Sequence, residues 1–180
     1  MNTMTIFTVL MTLTLCLVGV AVAFADDANM GTWKLNEAKS QFGPGTPKNY
    51  TVVYEAAGDN VRVTVDGTDG EGKPTHSEGV GKFDGKDYPV TGDPNSDMRS
   101  YTKIDPRTLG LNVKKGGKVT ISGSIAVSPD GKIRTVTKSG TDAKRKEGHS
   151  RAVYEKQAAI SSDEGCMAMD WKNCRISKNM

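Results

Sequence analysis

The chain has 180 residues, a formal net charge of +3, 20 glycines, and 36 % hydrophobic and 6 % aromatic residues. That length suits one domain. The near-balanced charge and modest hydrophobicity exclude a multi-span membrane protein and a disordered polyelectrolyte, and a charge of +3 is too small to imply a nucleic-acid partner.

Residues 1–25 contain no Asp, Glu, Lys or Arg, and Ile6 to Val22 is apolar apart from threonines and a glycine. The stretch ends at Ala23-Phe24-Ala25, a small-x-small site, and Asp26-Asp27 follows at once. This pattern predicts a signal peptide over 1–25, cleaved before Asp26, and a periplasmic or secreted location. The missing basic residue before the apolar run leaves an uncleaved anchor as the alternative. Membrane contact is expected only through such an anchor.

After Ala25 there are 12 Val and 6 Ile against 3 Leu. Branched side chains suit a pleated surface better than a helix. Apolar residues also recur with period two. Tyr50, Val52 and Tyr54 share one parity, as do Val61, Val63 and Val65. Leu109, Leu111 and Val113 repeat the pattern, and so do Val119, Ile121, Ile125 and Val127. Asp-Gly and Gly-Gly turns separate these runs and supply the positive φ that tight hairpins need. The spacing predicts strands near 31–35, 49–56, 61–67, 75–83, 87–91, 98–105, 108–114, 118–128, 133–139 and 149–157. The segment from Asn36 to Lys48 is a loop or a helical turn.

The fold class is therefore all-β, with 26–157 as one domain. About ten antiparallel strands joined by hairpins make a meander, which avoids exposed edges by closing into an up-and-down barrel. A two-sheet sandwich is the competitor, but it needs longer crossovers.

Residues 158–180 lack alternation and form a tail that holds Cys166 and Cys174. An even pair in an exported chain predicts one disulfide. Eight residues of unbroken helix would hold the two Cα atoms roughly 12 Å apart. A disulfide needs them within about 7 Å. The pairing therefore requires a bend, which Gly165 and Trp171-Lys172-Asn173 allow.

Gly31-Thr32-Trp33-Lys34-Leu35-Asn36, with Lys39-Ser40 and Phe42, resembles the Gly-x-Trp opening of the calycins, the lipocalins and fatty-acid-binding proteins among them. It is also similar to a group of exported bacterial lipocalin-like proteins of unassigned function. The resemblance covers about residues 30–157 and implies a barrel with Trp33 across its closed end. It also implies a basic side chain over the indole, here Arg151 with Lys156 in reserve. Fatty-acid-binding members carry Arg-x-Tyr near the end, whereas this chain has Arg151-Ala152-Val153-Tyr154, one residue longer. Alternation then puts Arg151 and Tyr154 on opposite faces, which argues against a fatty-acid carboxylate clamp and leads to the expectation that neutral apolar molecules bind about as well as fatty acids of similar size.

No nucleophile elbow, zinc-protease helix, dinucleotide fingerprint or P-loop occurs, so neither a catalytic residue nor a cofactor is expected. Asp93-Pro94-Asn95-Ser96-Asp97 begins like a calcium loop but has Met98 and Ile104 at its obligatory sixth and twelfth positions. It reads as a turn. His76 reads as a solvated strand histidine, and no metal is expected. Lys144-Arg145-Lys146 with Lys114, Lys115 and Lys118 reads as hairpin tips or as a basic rim.

The leading functional expectation is an exported barrel that binds a small, mainly apolar ligand inside. Its inward set would be Tyr50, Val52, Tyr54, Val63, Met98, Ser100, Thr102, Ile104, Leu111, Ile121 and Tyr154. Of these, Tyr50, Tyr54, Met98, Ser100, Thr102 and Tyr154 are the candidate ligand contacts, with Gly31, Trp33 and Arg151 structural. The alternative is a protein–protein module, such as a small secreted barrel inhibitor of a protease, working through loop 92–97 or the tail.

Overall fold

The computed structural model describes residues 27–141 and 147–158. The expected signal segment, the Lys144-Arg145-Lys146 run and the Cys166–Cys174 pairing lie outside the described residues.

Ten antiparallel strands close into an up-and-down barrel. They are β1 (Gly31–Leu35), β2 (Lys48–Ala57), β3 (Asn60–Thr68), β4 (Pro74–Gly81), β5 (Tyr88–Thr91), β6 (Met98–Asp105), β7 (Thr108–Lys115), β8 (Lys118–Val127), β9 (Ile133–Thr141) and β10 (Glu147–Lys156). A 3-10 turn, Glu37–Lys39, with Asn36 as its N-cap, fills the one long early connection. Each strand pairs with its neighbours in sequence, and β1 closes the ring on β10 through Trp33↔Lys156, Lys34↔Glu155 and Leu35↔Tyr154. Closure gives every strand a partner on both sides, which removes the free end strands an open meander of this length would carry.

Alternation decides what faces inward. In β3 Val61, Val63 and Val65 are buried, and in β7 Leu109, Leu111 and Val113 are. Val52, Ile125, Val127 and Val136 join them in one core cluster. Burying a side chain such as Leu109 or Ile125 stabilises the fold by about 1.5–3 kcal/mol.

The ring is thinnest at β5. That strand pairs with β4 only through Glu78↔Thr91 and Gly79↔Val90, and with β6 only through Tyr88↔Arg99 and Pro89↔Met98.

One end of the barrel is shut by Trp33, which is fully buried. Its indole Nε1 donates to the Asn29 carbonyl oxygen at 2.9 Å. The Asn29 backbone N and its Nδ2 both donate to the Asp27 carboxylate at 3.0 Å, and Lys103 Nζ reaches the other oxygen of that carboxylate at 2.8 Å. Gly31 enters β1 at φ 104°, where a side chain would be strained. A Cβ there would also meet Lys156 Cε at 3.1 Å.

The basic residue over the indole is a correction. Lys156 Nζ lies 5.2 Å from the Trp33 ring centroid, and Arg134 approaches the same ring at 5.8 Å. Arg151 is exposed and instead forms a β-bridge with Gln41. The reason is parity. Ala152, Tyr154 and Lys156 share the face that Trp33 occupies, because Lys156 is its register partner, and Arg151 points to the other face.

Candidate functional site

Beyond the Trp33 plug the barrel interior is not filled. A cavity of about 120 Å³ opens to solvent at the other end. Its wall is apolar: Val52, Val65, Leu111, Val113, Ile125 and Val136. Its mouth is polar, with Asn49, Thr68, Thr75, Asp93 and Asn95. Three cationic side chains also line it, Arg99 from β6 and Arg134 and Lys138 from β9.

Arg134 forms the floor and is only 2 % exposed. Its Nη2 donates to the Tyr54 hydroxyl at 2.6 Å. Its guanidinium carbon lies 4.5 Å from the Tyr54 ring centroid and 5.8 Å from those of Tyr154 and Trp33. Planar cations stack favourably on aromatic faces, which helps to hold this charge where water is excluded. Arg134 Nε and Nη1 have no hydrogen-bond partner among the described residues. Tyr54, Phe83 and Tyr101 pack edge to face with centroids 5.7–6.2 Å apart and hold Tyr54 in position.

Arg99 sits nearer the mouth. Its Nη2 contacts Asp93 Oδ2 at 3.2 Å, and its Nε has no partner among the described residues. Burial works against the Arg99 charge, but the neighbouring Tyr101 hydroxyl and Asp93 outweigh it and keep the guanidinium protonated above its usual range. Asp93 is well occupied. Its carboxylate also accepts from the Asn95 backbone N at 2.8 Å and from Ser96 Oγ at 2.8 Å.

Lys138 has no ion-pair partner within 4 Å among the described residues. Burial, followed by the Arg99 charge, pushes its amine below the ordinary lysine range, with Asp93 opposing. Burial pushes the Tyr154 hydroxyl up to about 12, and it raises Tyr54 further still. Both phenols therefore stay neutral at ordinary pH, as donors or acceptors rather than charges.

Of the expected ligand contacts, Tyr54 and Tyr154 line this cavity. Tyr50 does not and is 38 % exposed. A register shift between Asn49 and Thr51 breaks the alternation of β2 and puts Asn49, not Tyr50, at the mouth. Met98, Ser100 and Thr102 are also corrected. Arg99 and Tyr101 are the β6 side chains that line the cavity, so the even-numbered residues face the other way. Met98 is 38 % exposed, Thr102 is exposed, and Ser100 is buried on the outer face. Ile104, 63 % exposed, lies at a second register shift, between Lys103 and Asp105. Val119 is exposed beside a third, between Val113 and Lys114.

Sequence reasoning missed Arg99, Arg134 and Lys138. A signal was present: Arg134 and Lys138 share the parity of Val136, and Arg99 that of Tyr101. His76 is exposed, with Nδ1 2.6 Å from Asp66 Oδ1. Among the described residues no cluster of His, Cys, Asp or Glu has the makings of a metal site.

Fold and cavity together define the class: a closed, ten-strand up-and-down barrel, plugged at one end and open at the other, with cationic side chains in an apolar interior. No protein-family model matches the chain, and the search of curated proteins finds no match either.

Proposed function

We propose that this chain is an exported, lipocalin-like protein that binds a small, mainly apolar ligand inside its barrel and does not transform it. The observation that carries the reading is the cavity of about 120 Å³ above a tightly packed plug. A barrel with no interior task fills with side chains, whereas here Val52, Val65, Leu111 and Val136 face open space. The size suits a molecule of about one aromatic ring, since engineered cavities near 150 Å³ hold benzene. The apolar, charge-free stretch over residues 1–25 supports export to the periplasm or the medium.

Loop 92–97, the expected working part of a protease inhibitor, supports the same reading. Asp93 and Asn95 turn toward the cavity mouth, and Asp93 is tied to Arg99 within it.

Native mass spectrometry of protein purified from its own host, followed by solvent extraction, tests the proposal. The expected result is a co-purifying small molecule at up to one per chain. A stoichiometric protein partner with an empty barrel would overturn it in favour of the interaction module.

A further inference from the structure

We infer that the interior ligand carries an oxyanion head group, a carboxylate or a phosphate ester, held between Arg99 and Lys138 above Arg134. This rests on the reading of the barrel as a small-molecule binder and adds the chemical class of what is bound.

The argument begins with charge balance inside the cavity. Three cations line it, and the acids that line it are Asp93 and Asp69. Asp69 is engaged in its own turn, where its carboxylate accepts from the backbone N of Glu71 and of Lys73, each at 2.9 Å. Asp93 is shared between Arg99, Ser96 and the Asn95 backbone. Two carboxylates therefore face three positive side chains, which leaves one positive charge in excess. Excess charge in a partly desolvated space is costly unless an opposite charge joins it.

Hydrogen bonding points the same way. Arg134 Nε and Nη1 and Arg99 Nε are buried without a partner among the described residues. Native proteins rarely leave such donors unmatched, and an unmatched set beside a cavity marks a place for a missing acceptor. Arg134 lies among Trp33, Tyr54 and Tyr154 at the cavity floor, where its unmatched donors and its charge both draw an acceptor toward it. Arg99 and Lys138 stand nearer the opening and supply the direct contacts. Burial first, and then the nearby Arg99 charge, lowers the proton affinity of Lys138. An oxyanion beside it would restore the ammonium.

The apolar wall below and beside these groups limits the remainder of the molecule to a compact hydrocarbon body. A bare inorganic anion would leave that wall wet. A neutral hydrocarbon would leave the cations unmatched. An amphipathic anion satisfies both.

Isothermal titration of the full exported chain at pH 7 tests this with skeletons matched in shape: 3-phenylpropionate, its primary amide, phenyl phosphate, and inorganic phosphate alone. The inference expects 3-phenylpropionate or phenyl phosphate to bind at least tenfold more tightly than the amide, and the tighter of the two names the head group. It expects Lys138→Met to weaken the anion at least tenfold more than it changes the amide, and Lys138→Arg to keep the preference. Arg99→Met should act in the same direction, which covers a failure of either variant to fold. Equal binding of acid and amide would overturn the inference and leave the small-molecule reading standing. Binding of inorganic phosphate as tightly as the aromatic anions would overturn the amphipathic part. If none of the four bind and nothing is extracted from the native protein, both readings fall.

Discussion

The two ends of this barrel share the same strands and differ in how their polar groups are treated. At the closed end Trp33 is fully buried and hydrogen-bonded to Asn29, which donates to Asp27, whose carboxylate also accepts from Lys103. In the cavity, from the Arg134 floor to the mouth, the guanidinium groups of Arg134 and Arg99 keep donors without partners, and Lys138 has no acid within ion-pair distance among the described residues. The closed end is built as a core, with its indole donor satisfied and its ring packed, and the atom it leaves without a partner among the described residues is an acceptor, Asn29 Oδ1, rather than a charged donor. The open end carries an electrostatic cost that packing alone does not justify, and such costs concentrate where a protein binds something.

The largest break in that comparison is at the plug. Trp33→Ala is expected to destabilise the barrel by about 3–5 kcal/mol, because it leaves a cavity that ten hydrogen-bonded strands cannot collapse to fill. A chemical denaturation curve reads this directly, and an unchanged midpoint would mean that Trp33 is not the keystone of the closed end.

Tyr54 sits at the boundary between the two ends. Tyr54→Phe keeps the ring that stacks on Arg134 but removes the only hydrogen-bond acceptor recorded for that guanidinium among the described residues. The expected loss is about 1–3 kcal/mol, the cost of leaving a buried charged donor unmet. Equal stability of the two proteins would show that water or the rings already satisfy Arg134.

Lys138 is expected to run the other way. Its folded pKa lies below the ordinary lysine value of about 10.4. Between those two values the unfolded chain binds more protons than the folded one, so stability rises with pH across that window. Above about pH 10 the raised phenol of Tyr154 works in the opposite direction, since the folded chain then holds a proton that the unfolded chain has lost. Lys138→Met should flatten the rise below the ordinary lysine value and leave the ligand-free barrel equally stable or about 1 kcal/mol more stable at neutral pH. Denaturation midpoints across that range decide it. A variant less stable at every pH would mean that the amine is satisfied and the open end is not under charge stress.

The smallest effect separates two neighbours on β10. Lys156→Met is expected to cost about 0.5–1 kcal/mol by removing the cation over the Trp33 face. Arg151→Met is expected to stay within about 0.5 kcal/mol of the parent, because that side chain is exposed on the opposite face. Reversal of the two would restore Arg151 as the partner of the indole.

Much of the architecture was legible because a strand carries its own signature. The triplets Val61, Val63, Val65 and Leu109, Leu111, Val113 announce both the strand and its inner face, and the Asp-Gly and Gly-Gly turns announce where each strand ends. Parity failed where apolar residues were few or a bulge intervened. In β6 Met98 and Ile104 argue for one face and Tyr101 for the other, and composition alone cannot choose between them. In β2 the shift between Asn49 and Thr51 turned Tyr50 outward, and a single extra residue in a strand leaves no mark on its hydrophobic pattern.

By itself, then, the sequence determined an all-β chain of ten strands, the turns between them, the placement of Trp33 in the first strand, and the opposite facing of Arg151 and Tyr154. These follow from local sterics and period-two burial, which each segment expresses alone. Only the tertiary structure decided that Lys156 and not Arg151 covers Trp33, and that Arg99, Arg134 and Lys138 converge on one cavity. Those facts depend on register between strands far apart in the chain, Trp33 with Lys156 and Tyr154 with Arg134, and on closure of the ring. A charged residue within a strand reads as solvated until closure turns its face inward, and there the low dielectric converts an ordinary arginine into the most consequential side chain of the interior.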